Sequence, residues 1–186
     1  REVLLRADFV GETNTKWLIF APVILATQNL TYRRRVLDMI ARQARFLMNI
    51  STNAWVIPNN LKAIIGLILS GLFVPGGEGW LKEGCALLKV AVEKEVFLDS
   101  SLRSEAPQKL LQLYLSFVLL GEAFKQAGRE EPAEVLGAIL RIEINLKNII
   151  HGDGKLALFN GAGIQGGKDI RLALLKISQK SNKLER

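Results

Sequence analysis

Cysteine and histidine are nearly absent from this chain, at one residue each in 186. Cys85 alone forms no intrachain disulfide, and one thiol with one imidazole does not make a structural zinc site, so no metal and no cofactor is expected. Cys85 falls in an apolar helical pattern and reads as a small buried hydrophobe. Aromatic residues make up 7% of the chain and are not interleaved with its basic residues, so no nucleic-acid partner is expected. Long hydrophobic runs are lacking as well. The longest, Trp17–Ala26 and Ala63–Val74, fall well short of the roughly 20 residues that a transmembrane helix needs, so no transmembrane segment is expected. The chain shows no signal peptide and opens at Arg1, which reads as a processed or trimmed product and leaves periplasm and cytoplasm both open.

Apolar aliphatic residues are plentiful. Hydrophobic residues account for 49% of the chain, and leucine and isoleucine dominate over threonine and tyrosine, which favours helix over sheet. A chain of this size builds one helical domain over residues 1–186 with a sizeable core, or one piece of a larger architecture. The net charge is +7 and the isoelectric point 9.7. Such a surface attracts phosphate backbones, anionic lipid or acidic polysaccharide, although the same charge also serves ordinary solubility.

Residues 1–29 are mixed, and Trp17-Leu18-Ile19-Phe20-Ala21-Pro22 reads as a short buried segment interrupted by proline. From Thr31 the pattern sharpens. Val36, Leu37, Ile40, Ala44, Leu47 and Met48 recur at helical spacing and are flanked by Arg33, Arg34, Arg35, Arg42 and Arg45. A second helix over about 58–73 is apolar nearly all round and should be buried on several sides. Pro75-Gly76-Gly77 marks a turn into a helix over 78–97, with Trp80, Leu81, Ala86, Leu87, Val90 and Ala91 as its inner face. Further helices are expected over about 105–126, capped by Ser104 and closed by Gly128, then over 131–149 and 168–178, before a polar tail at 179–186. The fold class is all-α, made of antiparallel helical hairpins. An ordinary bundle and an arc of an α/α toroid both fit this periodicity.

Three places carry chemistry. The arginines between 33 and 45 are the densest basic cluster and serve either as a solvated face or as an anion-binding one. Asp99–Pro107 is a polar junction whose structural role is a helix lead-in. Glu105 or Asp99 has the chemistry of a base, but no nucleophile–histidine arrangement lies nearby. The stretch His151-Gly152-Asp153-Gly154-Lys155-Leu156-Ala157-Leu158-Phe159-Asn160-Gly161-Ala162-Gly163 holds the sole histidine and four glycines, which let a backbone turn sharply and approach a neighbour or ligand. It reads as a structured inter-helix loop or as the mouth of a substrate groove.

Three blocks, in order, resemble the heparinase II/III-like family: Tyr32–Arg45, Ser70–Glu78 and His151–Gly163, the last being the strongest match. The resemblance implies an α/α toroid, here partial, that precedes β-sheet domains in polysaccharide lyases acting on uronate-containing glycans. It also implies bacterial origin. The lyase chemistry needs a tyrosine or histidine base and a group, often asparagine, that neutralises the uronate carboxylate so that the neighbouring carbanion can form. The chain departs from the family at the junction before the fourth helix, where Asp-Gly-Gly-His and an Arg-Asn-Pro are common. Leu102 stands at the histidine position, and Glu105-Ala106 replaces the Arg-Asn pair. Leucine and alanine neither move a proton nor neutralise a carboxylate.

The resemblance therefore implies an acidic polysaccharide or oligosaccharide as partner, with catalysis lost in this chain alone. His151 is the candidate base. Asn59, Asn60, Arg33, Arg103 and Asn160 are the candidate substrate contacts, with helix capping as the structural alternative for Asn59 and Asn60. A β-sheet domain elsewhere in the parent protein, or a homo-oligomer, would supply the second wall of a groove. A non-catalytic helical interaction or oligomerisation module is the alternative function.

Overall fold

The computed structural model describes residues 6–51, 60–96 and 107–149. All regular structure among them is α-helical: α1 (Ala7–Ile19), α2 (Ala21–Ile24), α3 (Leu30–Ser51), α4 (Leu61–Phe73), α5 (Glu78–Glu95), α6 (Pro107–Gln126) and α7 (Ala133–Ile149). The chain divides into two compact units. One comprises residues 1–92 and 122–132, the other 93–121 and 133–186.

The first unit is centred on α4. Every residue from Ala63 to Ser70 is buried, as its all-round apolar sequence requires. Full burial of each leucine or isoleucine there contributes about 1.5–3 kcal/mol. Asn60 caps the helix, its side chain accepting from the Ala63 amide at 3.2 Å.

Against α4 lies α1, and the two backbones touch. A Cβ built on Gly66 would sit 2.6 Å from the Gly11 Cα, so only glycine fits at the crossing. One turn on, the buried Asn14 donates from Nδ2 to Ser70 Oγ (3.1 Å) and to the Ile40 carbonyl (3.4 Å), tying α1, α4 and α3 together. Ser70 passes its own proton to the Gly66 carbonyl at 2.7 Å. Asn14 Oδ1 is buried with no hydrogen-bond partner.

These contacts fix directions. Gly11 meets Ala63 and Gly66 while Asn14 meets Ser70, so α1 runs parallel to α4. Ile40 is level with Ser70, and Val36 clusters with Val74, so α3 runs antiparallel to both. Pro75-Gly76-Gly77 then reverses the chain, with Gly76 at φ +77°. The returning α5 lies antiparallel on α4, Gly84 against Ile68 and Leu81 against Gly71.

The buried face of α5 matches the expected one in part: Ala91 is inside and Trp80 packs against the Val36–Ile40–Val74 cluster. Gly84, Leu88, Ala91 and Val92 are inside, whereas Val90 and Ala86 are exposed and Cys85 is only partly covered. The close approach at Gly84, which has no side chain, selects this stripe. Residues 1–29 also depart from expectation. They hold a full helix, α1, and Ile19 and Phe20 at its end are exposed rather than buried.

The second unit buries Leu110, Leu111, Tyr114, Phe117 and Leu120 on α6, and Val135, Ala138, Ile139, Ile142 and Leu146 on α7. At the end of α6, the Arg129 amide donates to the Phe124 carbonyl and the Gly128 amide to that of Lys125, with Gly128 at φ +64°. Gly128 thus terminates the helix as expected. The polar tail and the 168–178 helix lie outside the described residues.

Two outcomes follow from the α1–α4 contact. Gly66→Ala should lower the unfolding free energy by about 1–3 kcal/mol in urea titration, because backbone blocks the new methyl. Gly79→Ala meets no atom within 4 Å and should be neutral or stabilising by up to about 1 kcal/mol. Equal stability of the two variants would contradict the crossing. Glu12 accepts from Lys16 (2.7 Å) on its own helix and Lys62 (2.8 Å) on α4, and these bonds pull its pKa from 4.5 to about 2. A lowered carboxyl pKa gives stability that is full above 4.5 and lost as pH falls towards about 2. The side chain is 41% exposed, so the gain should stay below about 1 kcal/mol. Glu12→Gln should remove this pH dependence; an unchanged stability-against-pH curve would show the clamp to be energetically idle.

Candidate functional site

The start of α3 carries the densest cluster of arginines in the chain. Asn29 starts the helix: its side chain accepts from the Tyr32 amide at 3.0 Å, and its own amide donates to Thr27 Oγ1 at 3.2 Å. Leu30 to Arg35 are all exposed, and Val36 is the first residue of α3 to enter the core. Arg33, Arg34 and Arg35 therefore occupy the opening turns of a helix, where the aligned peptide dipoles are positive. The dipole acts within the first turn, which Arg33 closes, and opposes that cation most. Arg42 and Arg45 are exposed further along, and Arg42 donates to the Asp38 carbonyl rather than to a carboxylate. Among the described residues no carboxylate pairs with Arg33, Arg34, Arg35 or Arg45. The arrangement concentrates positive potential at one end of the unit and is suited to an anion.

Of the residues singled out from sequence, Arg33 and Asn60 are described. They occupy opposite ends of the α3–α4 pair. Arg33 lies seven residues before Ile40 on α3, and Asn60 ten residues before the level-matched Ser70 on antiparallel α4. At about 1.5 Å per residue they are roughly 25 Å apart along the axis. The two do not belong to one ligand contact, and the Asn60 carbonyl is engaged in capping. Asn59, Arg103, His151 and Asn160 lie outside the described residues, as do Asp99, Leu102, Glu105 and Ala106.

In the second unit, Tyr114 and Glu143 form a buried polar pair that sequence reasoning missed. Burial first, and then the negative charge of Glu143, pushes the Tyr114 phenol up to about 12. Glu143 is itself 7% exposed and is joined by Lys147 at 3.2 Å. Tyr114, 1% exposed, stays protonated at neutral pH and is unsuited to act as a base on a polymer. The signal was weak in sequence, since a lone tyrosine at a helical core position looks like packing. Among the described residues no group of three or more metal-ligating side chains converges, and no helix is long and apolar enough to cross a membrane.

No family model matches the chain, and no solved structure matches it. One curated protein does: FtsZ-localized protein C of Caulobacter vibrioides, 28% identical over 137 residues, which cover 73% of this chain and 23% of that protein. The chain thus spans about a quarter of the length of the relative it resembles.

Proposed function

We propose that this chain is a non-catalytic helical binding module, an arc of a heparinase II/III-like α/α toroid that acts in a longer protein at FtsZ. The similarity to FtsZ-localized protein C over 73% of the chain carries the reading. The toroid part is supported by the order of directions in the first unit. Parallel α1 and α4 each pair with an antiparallel helix, α3 and α5, which is how successive hairpins of an arc stack. The non-catalytic part is supported by Leu102 and Ala106 in place of a proton-transferring and a carboxylate-neutralising residue.

Acidic polysaccharide binding is the second reading, favoured by the exposed arginines of α3. His151, Arg103, Asn59 and Asn160 are proposed contacts within it, and a β-sheet domain or a second copy would complete the groove.

Calorimetry against purified FtsZ should give saturable binding. No heat at any ratio, with the chain folded by circular dichroism, would overturn the leading reading. Heparin, heparan sulfate or alginate incubated with the chain should yield no unsaturated uronate absorbance. Product formation abolished by His151→Ala would restore lyase chemistry and make His151 the base. For the glycan reading, His151→Ala with Asn160→Ala should weaken uronate-oligosaccharide binding, whereas Gln179→Ala with Asn182→Ala should not. Equal affinity at fixed ionic strength would leave only diffuse charge attraction.

A further inference from the structure

The end of the first unit that carries the arginines also exposes bare apolar side chains. Phe20 is 57% exposed, Val23 77% and Leu30 73%. They are not loose. The Phe20 amide donates to the Lys16 carbonyl, those of Val23 and Ile24 to Phe20, and that of Leu25 to Ala21, so the α2 turn is a built element. Its other side is fixed too: Ile24 and Leu25 pack against the Val36–Ile40–Val74 cluster, beside the start of α3. The turn is thereby clamped with Phe20 and Val23 outward. Tyr32, 43% exposed, adds an aromatic ring with a polar tip. No aspartate or glutamate occurs between Glu12 and Asp38, while Arg33, Arg34 and Arg35 do, so that Glu78, brought to this end by the turn into α5, is outnumbered by the three arginines.

We propose that this end of the unit docks on an anionic lipid surface, with Phe20, Val23 and Leu30 entering the headgroup–acyl boundary and Arg33, Arg34 and Arg35 meeting lipid phosphates. The combination selects the occupant. Arginines alone suit any polyanion, but Val23 and Leu30 gain only from a partner with an apolar interior. An acidic polysaccharide offers hydroxyls and charges, and a nucleic-acid backbone offers phosphates, so neither rewards aliphatic side chains beside the cations. A bilayer interface offers both, and an aromatic belt residue such as Tyr32 is at home there. No described helix is long and apolar enough to cross a membrane, and the proposed contact is one of these helices lying on the surface. This inference is independent of the FtsZ and glycan readings.

Flotation of the full chain with vesicles of phosphatidylglycerol and phosphatidylcholine, against phosphatidylcholine alone, tests it at physiological salt. The chain should float with the mixed vesicles only. R33Q/R34Q/R35Q should weaken binding on the order of 100-fold, at about 1 kcal/mol per arginine. F20S/V23S should weaken it at least about 10-fold while eluting from heparin at wild-type salt, because its charge is unchanged. Both residues are exposed, so its thermal midpoint should match wild type; were it lowered, L30S would serve in its place. Flotation of F20S/V23S or L30S equal to wild type would overturn the proposal in favour of diffuse charge attraction. Heparin retention without flotation of the wild-type chain would overturn it in favour of a soluble polyanion.

Discussion

The contact between the Gly11 and Gly66 backbones is the constraint on which the first unit depends. Two helices that close leave no room for a side chain at the crossing, and the interface gains its stability from the buried residues on either side. The crossing also places Asn14 where its amide reaches both Ser70 and the Ile40 carbonyl. A single polar side chain thus registers three helices. Its alternatives in a slipped packing would leave both amide protons unpaired in the core, a cost of about 1–3 kcal/mol. The Lys16–Glu12–Lys62 cluster lies over the same crossing on the solvent side and repeats the same register with charges.

From that registration the basic end follows. With α1 parallel to α4, its C-terminal Trp17 and Leu18 arrive beside Val74 and the start of α3, and the chain must turn there. The turn uses Ile24 and Leu25 for the core, leaving Phe20 and Val23 outside. The Asn29 cap then starts α3 with its arginines in the first two turns. Three adjacent cations repel one another and oppose local stability. Such an arrangement is physically sensible where an anionic surface compensates it.

Legibility tracked side-chain hydrophobicity. α4 was readable because isoleucine and leucine recur on every side, and α3 because Val36, Ile40, Ala44 and Leu47 keep a clean period, with the arginines spread over more than one face. Gly128 and Pro75-Gly76-Gly77 were readable because positive φ and chain reversal need those residues. α1 was not, since the face it buries is Ala7, Val10, Gly11 and Asn14, which carries almost no apolar signal. The inner face of α5 was legible only in part, at Trp80 and Ala91, for the same reason: a stripe that starts at Gly84 looks weaker than one through Val90. At the site, the exposure of the arginines was legible, but the apolar turn beside them was not. Trp17–Pro22 has core-like composition, and only the packing of Ile24 and Leu25 shows which of its side chains are left over. The separation of Arg33 from Asn60 follows from the antiparallel hairpin that the periodicity already implied, since each residue lies at the start of its own helix.

Native-state amide hydrogen exchange tests most directly whether α1 is an integral part of this core. Amides of the second half of α1, around Asn14, should exchange with the same opening free energy as those of Ile64–Ser70 in α4, through one cooperative unfolding event. Exchange of α1 by a separate, low-energy local opening while α4 remained protected would contradict it.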